Sequence, residues 1–393
     1  MRFAHLADCH LGAWNAHPDL RELPIVAFNR ALDICFREGV DFILIAGDLF
    51  DTSIPSIDIL KSAVSKLKEC RDMNIPVYVI PGSHDYSPSG KTMLSVLEEA
   101  DLLKDVSLKF VTDKSGAKIF GVPGKRGGLD KFIYDELDKE QLEREDGFKI
   151  FLFHAAISEL FPIKQMISVP LDLLPKKFDY YASGHIHEIF HKKVDERLIA
   201  YPGSLFSTDF TELEKYMGRS GFYIVAVDGG EINIEWKEVD VCEVEIIDVD
   251  CTNKTPRRVE EEHYREIEKK ELFGKILLMK IYGTLDGRQS DIDFKSILTR
   301  AYEKGTKSVK KNVHIETKEM EDIKSAAMIS DIEKELIEKN IDKITLSNFP
   351  KEQRINLVRD MMDVLKEEKI EGETTYDFED RIKEYAKMIL NFR

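Results

Sequence analysis

The sequence predicts an α/β protein that continues into a small α+β unit and then into a helical tail. Apolar runs of strand length recur through residues 1–240, and segments with helical periodicity separate them. From residue 241 the strands are fewer and a charged helix accompanies them, and after residue 316 the pattern is almost purely helical. We therefore predict three domains, over residues 1–240, 241–316 and 317–393.

The strands of the first domain are predicted from short apolar runs that end at glycine or polar residues. They cover Arg2–Ala7, Asp41–Ala46, Pro76–Ile80, Ala117–Val122, Phe148–Phe153, Tyr180–Ser183, Leu198–Tyr201 and Phe222–Val227. Helices are predicted at Glu22–Glu38 and Ser56–Asn74 from their periodicity. An Asp-Gly-Gly sequence between Phe222–Val227 and Ile232–Val239 predicts a hairpin.

The second domain is predicted from the strands Val244–Val249 and Lys275–Tyr282 and from the helix Pro256–Leu272. Pro350 predicts a break within the tail. Apolar side chains recur at helical spacing at Ile355, Val358, Met362 and Leu365, and again at Phe378, Ile382, Tyr385 and Ile389. Such stripes need a surface to cover, either on this protein or on a partner.

The composition indicates a globular protein with neither a membrane span nor a disulfide framework. Hydrophobic residues make up 43% of the 393, and no apolar run approaches the roughly 20 residues of a membrane span. Met1 leads directly into the first predicted strand, which argues against a signal peptide. Five scattered cysteines are typical of a reducing cytoplasm. A formal net charge of −16 disfavours a basic DNA coat but leaves local DNA contacts open.

Short blocks in the first half of the chain carry residues that ligate metals. They are Asp8-Cys9-His10, Gly47-Asp48-Leu49-Phe50-Asp51, Gly82-Ser83-His84-Asp85 and Gly184-His185-Ile186-His187, with His154 as a further candidate. Each follows a predicted strand, and ligands of α/β sheets bind at the carboxyl ends of strands. Imidazoles and carboxylates at this density predict a two-metal centre for phosphate ester cleavage.

The spacing within the blocks indicates how two ions can be held. Asp48 is the candidate bridge, because it follows an apolar run and a glycine. Asp8 and His10 can bind one ion if the strand ends between them, and His185 and His187 have the same spacing. Taken singly, a lone histidine more often serves the core and a Gly-Asp pair a turn. The order of all the blocks, each at a strand end, favours the metal centre.

The order D-x-H, G-D-x-x-D, G-x-H-D, H and G-H-x-H resembles the calcineurin-like metallophosphoesterases. The segments 7–12, 46–51 and 201–205 are similar to those of DNA double-strand-break repair nucleases of the Mre-eleven and SbcD type, archaeal members included. The resemblance is strong over residues 1–230 and architectural beyond them. It implies a sandwich of two mixed sheets flanked by helices, followed by a DNA-binding capping domain and a helical ATPase-binding tail.

The resemblance also implies a role for each motif residue. One metal ion would be held by Asp8, His10, Asp48 and His187, and the other by Asp48, His154, His185 and Ser83. His84 would contact the scissile phosphate and stabilise or protonate the leaving 3′ oxygen. Members of the family favour manganese, which imidazole ligands suit better than they suit magnesium. Two Mn²⁺ ions per subunit are therefore expected.

This chain departs from the family pattern at two positions. Ser83 stands where the family has asparagine, and a hydroxyl reaches less far than an amide oxygen. We therefore expect that Ser83 binds the second metal ion through a water molecule or that the second metal site is weak. Asp51 stands where some relatives carry a histidine that aids exonuclease action, which leaves the balance of exonuclease and endonuclease activity open.

Two further sets of residues, one apolar and one basic, each have a functional and a purely structural interpretation. Apolar stripes at helical spacing include Leu60, Val64 and Leu97, which fit core packing but in the resembled family would form a homodimer interface. Basic residues at Lys125, Arg126, Lys307, Lys310 and Lys311 fit a solvated face, or contact with the phosphate backbone of DNA.

The resulting functional prediction is a Mn²⁺-dependent, nucleoid-associated nuclease that processes DNA ends in double-strand-break repair. It would act as a 3′–5′ exonuclease on double strands and as an endonuclease on single strands. Its partner would be an ABC-type coiled-coil ATPase of the Rad-fifty type, bound by the C-terminal helices. The alternatives are a phosphatase or phosphodiesterase of the same superfamily, and a non-catalytic scaffold that holds DNA ends.

Overall fold

The computed structural model describes residues 1–87, 92–125, 130–162, 168–317, 336–337, 339–341, 350–365 and 375–390. The strands are β1 (Arg2–Leu6), β2 (Phe42–Ala46), β3 (Val77–Ile80), β4 (Lys104–Asp105), β5 (Phe110–Thr112), β6 (Lys118–Val122), β7 (Lys149–His154), β8 (Ala156–Ile157), β9 (Ser168–Val169), β10 (Tyr180–Gly184), β11 (Ile189–Val194), β12 (Arg197–Pro202), β13 (Ser220–Asp228), β14 (Glu231–Val239), β15 (Val244–Asp250), β16 (Ile276–Leu285) and β17 (Ser308–Thr317). The α-helices are α1 (Leu23–Glu38), α2 (Ile57–Asp72), α3 (Met93–Glu99), α4 (Asp130–Glu136), α5 (Lys139–Arg144), α6 (Phe210–Tyr216), α7 (Pro256–Lys269), α8 (Phe294–Glu303), α9 (Lys351–Leu365) and α10 (Thr375–Leu390). None of the described helices has the length and apolar composition that crossing a membrane requires.

Two mixed sheets, each with six strands among the described residues, form the centre of the fold. The first has the order β14-β13-β1-β2-β3-β4, in which β1 to β4 run parallel and β13 pairs antiparallel with both neighbours. The second has the order β11-β12-β10-β7-β6-β5, in which β12, β10, β7 and β6 run parallel. Smaller sheets have the orders β15-β16-β17 and β8-β9.

The two large sheets face each other across an apolar layer. In β1, Phe3 points into this layer and its ring lies 5.4 Å from that of Tyr180 on β10, whereas Ala4 points to the opposite face, which α1 and α2 cover. Because β2 is buried on both faces, its sequence is an uninterrupted apolar run. Helices α4 and α5 cover the outer face of the second sheet. The predicted fold class is confirmed.

The predicted strands and helices correspond to observed ones, with ends that differ by a few residues. The predicted hairpin is β13 and β14, with Asp228 opposite Glu231 and with Gly229 and Gly230 at φ 55° and 88°. The edge strands β5 and β11 were not predicted. Strand β11 is largely exposed and contains three consecutive polar residues, so it lacks the apolar pattern of a buried strand.

The chain divides into two compact units. One comprises residues 1–249, 262–280 and 294–312, and the other comprises residues 250–261, 281–293 and 313–393. In the second unit, α9 begins directly after Pro350 and packs against α10. These two helices agree with the helical character predicted for the tail. The boundaries of the three predicted domains stay a prediction.

Leu97, predicted to lie in a dimer interface, belongs to the core of this chain. It is 1% exposed and packs in the layer between the helices and the first sheet, because α3 covers the edge of that sheet. Leu60 and Val64 on α2 are half-buried against the same core, and Ile57 at the start of α2 is 82% exposed. The interface prediction therefore rests on α2 alone.

His5 is a buried polar residue between the two large sheets. Its Nδ1 lies 2.9 Å from the hydroxyl of Tyr180, and its Nε2 lies 3.1 Å from the carbonyl oxygen of Ser183. Because a carbonyl oxygen only accepts, Nε2 carries the hydrogen and Nδ1 accepts from the tyrosine hydroxyl. Burial lowers the pKa of His5 to about 3, so the ring is neutral in the folded chain.

We predict that acid destabilises the fold through His5. In the unfolded chain the pKa of this ring returns to 6.5, so the unfolded chain binds a proton that the folded chain does not. Stability present above pH 6.5 is therefore lost as the pH falls towards 3. Between pH 7 and pH 5 the loss amounts to about 2 kcal/mol of unfolding free energy.

Denaturant titrations in EDTA at the two pH values measure this effect. His5→Phe should reduce the difference between the two unfolding free energies by that amount. His17→Phe, at an exposed histidine, should leave the difference unchanged. An unaltered pH dependence in His5→Phe would contradict the neutral buried ring.

Candidate metal centre

Polar side chains that follow parallel strands of both large sheets meet at one edge of the sandwich. Asp8 and His10 follow β1, Asp48 follows β2, Ser83, His84 and Asp85 follow β3, His154 ends β7, and His185 and His187 follow β10. Between the sheets, Nε2 of His154 lies 3.2 Å from Oδ2 of Asp48. Nε2 of His187 lies 3.8 Å from Oδ1 of Asp8. Side chains far apart in the sequence therefore share one site.

Overlapping groups of these side chains place their ligand atoms within 4.8 Å of one another. The groups are Asp8, His10 and His187; His10, Asp48 and His84; and Asp8, Asp48 and His154. Each aspartate belongs to two groups, and a shared carboxylate can bridge neighbouring cations. Among the described residues His185 belongs to none of these groups, and its ring packs against that of His154 with centroids 5.1 Å apart.

Two of the imidazoles are oriented by backbone carbonyl groups. Nδ1 of His154 donates to the carbonyl oxygen of Ala46 at 2.8 Å, and Nδ1 of His84 donates to that of Asp51 at 2.8 Å. Because Nδ1 carries the hydrogen in both rings, Nε2 is the nitrogen that can hold a metal ion or contact a substrate.

Carboxylates lie behind the other two imidazoles. Nδ1 of His187 donates to Glu212 at 2.5 Å, and Nδ1 of His10 lies 3.2 Å from Oδ1 of Asp51. Glu212 also accepts from the backbone amide of Thr208, which fixes the carboxylate itself. The hydrogen bond to Glu212 orients the ring of His187, and a carboxylate close to an imidazole makes it more basic.

The donor set fits divalent transition ions. Nε2 of His154 is buried and has no hydrogen-bond partner among the described residues. The Nε2 atoms of His10 and His187 lie 3.2 Å apart with carboxylates close by, an arrangement that a cation between them would stabilise. Imidazole nitrogens combined with carboxylate oxygens suit manganese or zinc better than magnesium.

Several ligand-bearing residues have a backbone conformation that non-glycine residues rarely adopt. The φ angles are 48° at Asp8, 41° at His10, 50° at Asp48 and 81° at His185. Each costs roughly 1–2 kcal/mol, and such conformations cluster at functional sites. Two backbone hydrogen bonds accompany them: the amide of His185 donates to Asp8 at 3.0 Å, and that of His84 donates to Asp48 at 2.7 Å.

Two glycines allow the strands of the two sheets to approach each other at the centre. Gly47 has φ 86°, and a β-carbon there would clash with the ring of His154. A β-carbon at Gly184 would clash with the carbonyl oxygen of Ala46. The glycines that precede Asp48 and His185 are therefore part of the site's geometry.

Asp85 joins the two ligand-bearing loops of the first sheet. Its Oδ2 accepts from the amides of Leu49 and Gly82 at 3.1 Å, and its Oδ1 accepts from that of Phe50 at 3.0 Å. Burial and the nearby charge of Asp48 raise the pKa of Asp85 to about 6. Asp85 is thus a positioning residue for the loops that carry Asp48 and His84.

Charges within the site are strongly coupled. Burial opposes ionisation of Asp48, but the imidazoles of His154 and His10 hold its pKa below the usual range. Burial likewise opposes protonation of His154, but Asp48 raises its pKa to about 10. Burial also opposes protonation of His187, but its hydrogen bond to Glu212 raises its pKa to about 9. Burial lowers the pKa of His185 to about 3. A bound cation would replace the protons that these imidazoles hold.

One of the two predicted DNA contacts of the first domain, Lys125, lies among the described residues. Lys125 is half-buried and directly follows Gly124, whose backbone packs against the ring of His154. Arg126 lies outside the described residues. Lys125 is therefore the next residue in the sequence after one that contacts His154 of the metal centre.

The lysines predicted to contact DNA from the second domain have different surroundings. Lys307 is exposed. The ammonium group of Lys310 lies 5.0 Å from the ring centroid of Trp14, and that of Lys311 lies 4.5 Å from the ring centroid of Phe294. Cation–π contacts of this kind leave room for further hydrogen bonds to a phosphate.

Two positioning residues were missed by sequence analysis. Asp85 lies inside a motif but was given no role. Glu212 comes from α6, 25 residues beyond its partner His187, and no local pattern connects the two.

Comparisons with known proteins agree with this geometry. Residues 1–189 match the family described as calcineurin-like phosphoesterase. A protein of Sulfurisphaera tokodaii described as DNA double-strand break repair protein Mre11 is 30% identical over 282 residues, which are 70% of this chain and 72% of that protein. The chain belongs to the archaeal Mre11 family. The resemblance predicted from the motifs is confirmed.

Other Mre11 relatives match over shorter stretches. The protein of Saccharolobus solfataricus is 32% identical over 231 residues, which are 57% of this chain and 60% of that protein. That of Methanococcus maripaludis is 28% identical over 265 residues, which are 64% of this chain and 68% of that protein. The match thus spans about three fifths to three quarters of these Mre11 proteins.

We predict that Glu212→Gln weakens metal binding. The amide keeps the shape of the side chain but loses the charge behind His187, and losing such a partner lowers metal affinity about 10- to 100-fold. Calorimetric titration with Mn²⁺ measures the change. Glu214→Gln, on the same helix but paired with Lys280 at 2.7 Å, is the matched control and should bind Mn²⁺ like the wild type. Equal affinities in all three proteins would show that Glu212 does not support His187.

Proposed function

We propose that this Mre11-family chain is a manganese-dependent nuclease that processes DNA ends in double-strand-break repair. Its activities would be 3′–5′ exonuclease on double strands and endonuclease on single strands. The observation that carries the proposal is the pair of aspartates, Asp8 and Asp48, shared among groups of histidines from both sheets. A scaffold that only holds DNA would not require ligand positions with strained backbone.

We assign two metal ions to the motif residues, as the resemblance to the family implies. Asp8, His10, Asp48 and His187 would hold one ion, and Asp48, His154, His185 and Ser83 would hold the other. Bound ions would neutralise charge on the transferring phosphoryl group and activate the attacking water. The chain orients His187 through Glu212 and His154 through the carbonyl group of Ala46. It also buries the imidazoles of His10 and His154 away from bulk water.

His84 is the residue best placed to act on the leaving group. Its side chain is 41% exposed, whereas those of His10 and His154 are 4% and 1% exposed, so His84 alone of the three is accessible to a substrate. The carbonyl of Asp51 fixes its Nδ1–H, which leaves Nε2 to contact a phosphate or protonate a 3′ oxygen. His84 also lies close to His10 and Asp48, so the alternative to a role on the leaving group is that His84 binds a metal ion.

Ser83 distinguishes the two proposed metal positions. Its hydroxyl donates to Oδ2 of Asp48 at 3.3 Å. A hydroxyl in this position supplies a weaker ligand than an amide oxygen, which supports the weak second site expected from the sequence.

The tail and α2 supply the proposed partner surfaces. Helices α9 and α10 leave an apolar groove of about 270 Å³ between them, lined by Leu365, Phe378 and Ile382 among others. We assign this helix pair to binding of a Rad-fifty-type ATPase. Leu60 and Val64, with the exposed Ile57, are assigned to a homodimer contact. Lys125, Lys307, Lys310 and Lys311 are assigned to the phosphate backbone of DNA.

We predict that His84→Ser abolishes DNA cleavage without changing metal stoichiometry. Loss of a general acid lowers the rate by about 10²- to 10⁴-fold. The measurements are digestion of end-labelled duplex with Mn²⁺, hydrolysis of a p-nitrophenyl phosphate ester, and calorimetric stoichiometry. His17→Ser, at an exposed position outside the site, is the control. Loss of one bound Mn²⁺ in His84→Ser would make His84 a ligand, and unchanged DNA cleavage would show that His84 has no catalytic role. Absence of DNA cleavage by the wild type would favour a scaffold, or a phosphatase if the wild type hydrolyses the ester.

We predict that Ser83→Asn lowers the Mn²⁺ concentration needed for half-maximal cleavage. The amide oxygen of asparagine reaches farther than the hydroxyl of serine and would be a stronger ligand for the second metal ion. Titration of Mn²⁺ against cleavage rate measures the shift, with the Asn variant and the wild type at equal protein concentration. An identical metal requirement would refute a weak site at Ser83.

We predict that Leu60→Lys converts a dimer into a monomer while the fold remains intact. A lysine in an apolar contact between subunits would leave its charge buried and unpaired. Light scattering gives the mass, and circular dichroism reports the fold. Ser65→Lys adds the same charge at an exposed position of α2 and should stay dimeric. A dimer in both variants would assign Leu60 to the core.

A further inference from the structure

A cavity of about 270 Å³ lies at the edge of the first sheet that is opposite to the metal centre. Pro76 and Val77 line it at the amino end of β3, whereas Ser83 and His84 follow the carboxyl end of the same strand. The rest of its wall comes from the end of α2, the segment after α3, the start of β4 and the turn between β5 and β6. The chemistry proposed above gives this cavity no role.

The same local structure at the ends of α2 and α3 builds the floor of the cavity. Asn74 and Asp101 have φ angles of 58° and 56°, the left-handed conformation that ends many helices and that these residue types tolerate. The amide of the following residue then donates to the carbonyl oxygen five residues earlier, at 2.9 Å for Ile75 and 3.0 Å for Leu102. Both chains thereby turn inwards. The buried apolar side chains of the floor are Ile75, Val77, Leu102 and Leu103.

The turn between β5 and β6 is held against the rest of the wall before any ligand binds. Asp113 accepts from the hydroxyl of Tyr78 at 2.9 Å and from the amide of Ser115 at 2.8 Å. The ammonium group of Lys114 donates to the carbonyl oxygen of Asn74 at 2.7 Å, which connects the turn to the end of α2. A cavity fixed in this way loses little conformational entropy when a ligand binds.

The exposed rim of the cavity is positively charged on an otherwise acidic chain. Of its charged lining residues that the structure describes, Arg71, Lys104 and Lys114 are cationic and Asp101 alone is anionic. Within the described part of the chain no carboxylate pairs with either lysine, and the partner of Arg71 is the exposed Asp72 at 3.3 Å. With a net charge of −16 over the whole chain, this rim is a place where an anion is attracted.

We propose that this cavity binds a small amphipathic anion, in which a carboxylate or phosphate group is joined to an apolar body. The buried floor takes the apolar body, and the cations of the rim pair with the anionic group. The volume lies just below the range of about 300–1,000 Å³ typical of ligand pockets, which favours a ligand smaller than a nucleotide. The cavity shares no residue with the groups of metal-binding side chains, so the proposal does not depend on the nuclease function.

Titrations with short alkyl compounds test the floor and the rim separately. Metal-free, full-length protein is used, because a carboxylate could otherwise bind a metal ion at the other edge of the sheet. Octanoate should bind roughly 10- to 20-fold more tightly than hexanoate, since each buried methylene group contributes about fourfold in affinity. Octanol, which lacks the charge, should bind roughly two- to fivefold more weakly than octanoate for each cation that pairs with the carboxylate. Octyl phosphate in place of octanoate shows which anionic group the rim prefers.

Methyl-group NMR spectra locate the bound ligand. With octanoate, the signals of Ile75, Leu102 and Leu103 should shift in proportion to binding. The signals of Leu365 and Ile382 report on the apolar groove between α9 and α10 and should stay in place.

Charge reversals at the rim connect the affinity to this cavity. Lys104→Glu and Lys114→Glu should each weaken octanoate binding roughly 5- to 10-fold, because the change removes an attraction and adds a repulsion. The affinity for octanol should remain that of the wild type, which a loss of folding would not leave unchanged. Lys68→Glu makes the same change at an exposed position of α2 that does not line the cavity, and should bind octanoate like the wild type.

Several results would overturn the site. Equal affinities for hexanoate and octanoate would show that the floor does not receive the apolar body. Wild-type affinity for octanoate in both Lys104→Glu and Lys114→Glu, or an equal loss in Lys68→Glu, would show that the rim does not bind the anionic group. Shifts confined to Leu365 and Ile382 would place the ligand in the tail.

Discussion

The hydrogen bonds of His5 connect the strand ends on which the metal centre depends. His5 lies in β1, which leads into Asp8 and His10, and its Nε2–H donates to Ser183, which lies two residues before His185. The ligand atoms of the two sheets lie between 3 and 4 Å apart, so a shift of one sheet against the other would separate them. The hydrogen bonds of His5 therefore fix the position of one sheet relative to the other, which non-directional apolar packing does not fix by itself.

The groups behind the histidines make the two halves of the site unequal. Carboxylates of Asp51 and Glu212 lie behind His10 and His187, whereas the neutral carbonyl of Ala46 lies behind His154. A negative charge behind an imidazole strengthens its bond to a cation, and a neutral dipole does so less. We therefore expect the ion held with His10 and His187 to bind before the other. The hydroxyl of Ser83, a weaker ligand than an amide oxygen, would also weaken binding of the second ion.

The sequence predicted that the motif residues meet at one edge of the sandwich, because their blocks follow strands and strand order brings the carboxyl ends of these strands together. It did not predict Glu212, because the contact with His187 depends on how α6 packs and not on spacing along the chain. It misassigned Leu97, because an apolar stripe has the same spacing whether it meets its own sheet or another subunit. It missed β11, whose polar residues face solvent at a sheet edge.

The distribution of charge bears on how such an acidic chain would act on DNA in the proposed function. Carboxylates of Asp8, Asp48, Asp51 and Glu212 surround the imidazoles, and the chain as a whole carries a formal charge of −16. Without bound cations this edge of the sandwich would repel a phosphodiester. Two bound divalent ions would bring four positive charges and cancel those of the four carboxylates at the place where the phosphate would lie. The metal ions would therefore determine the position of the DNA as well as its cleavage.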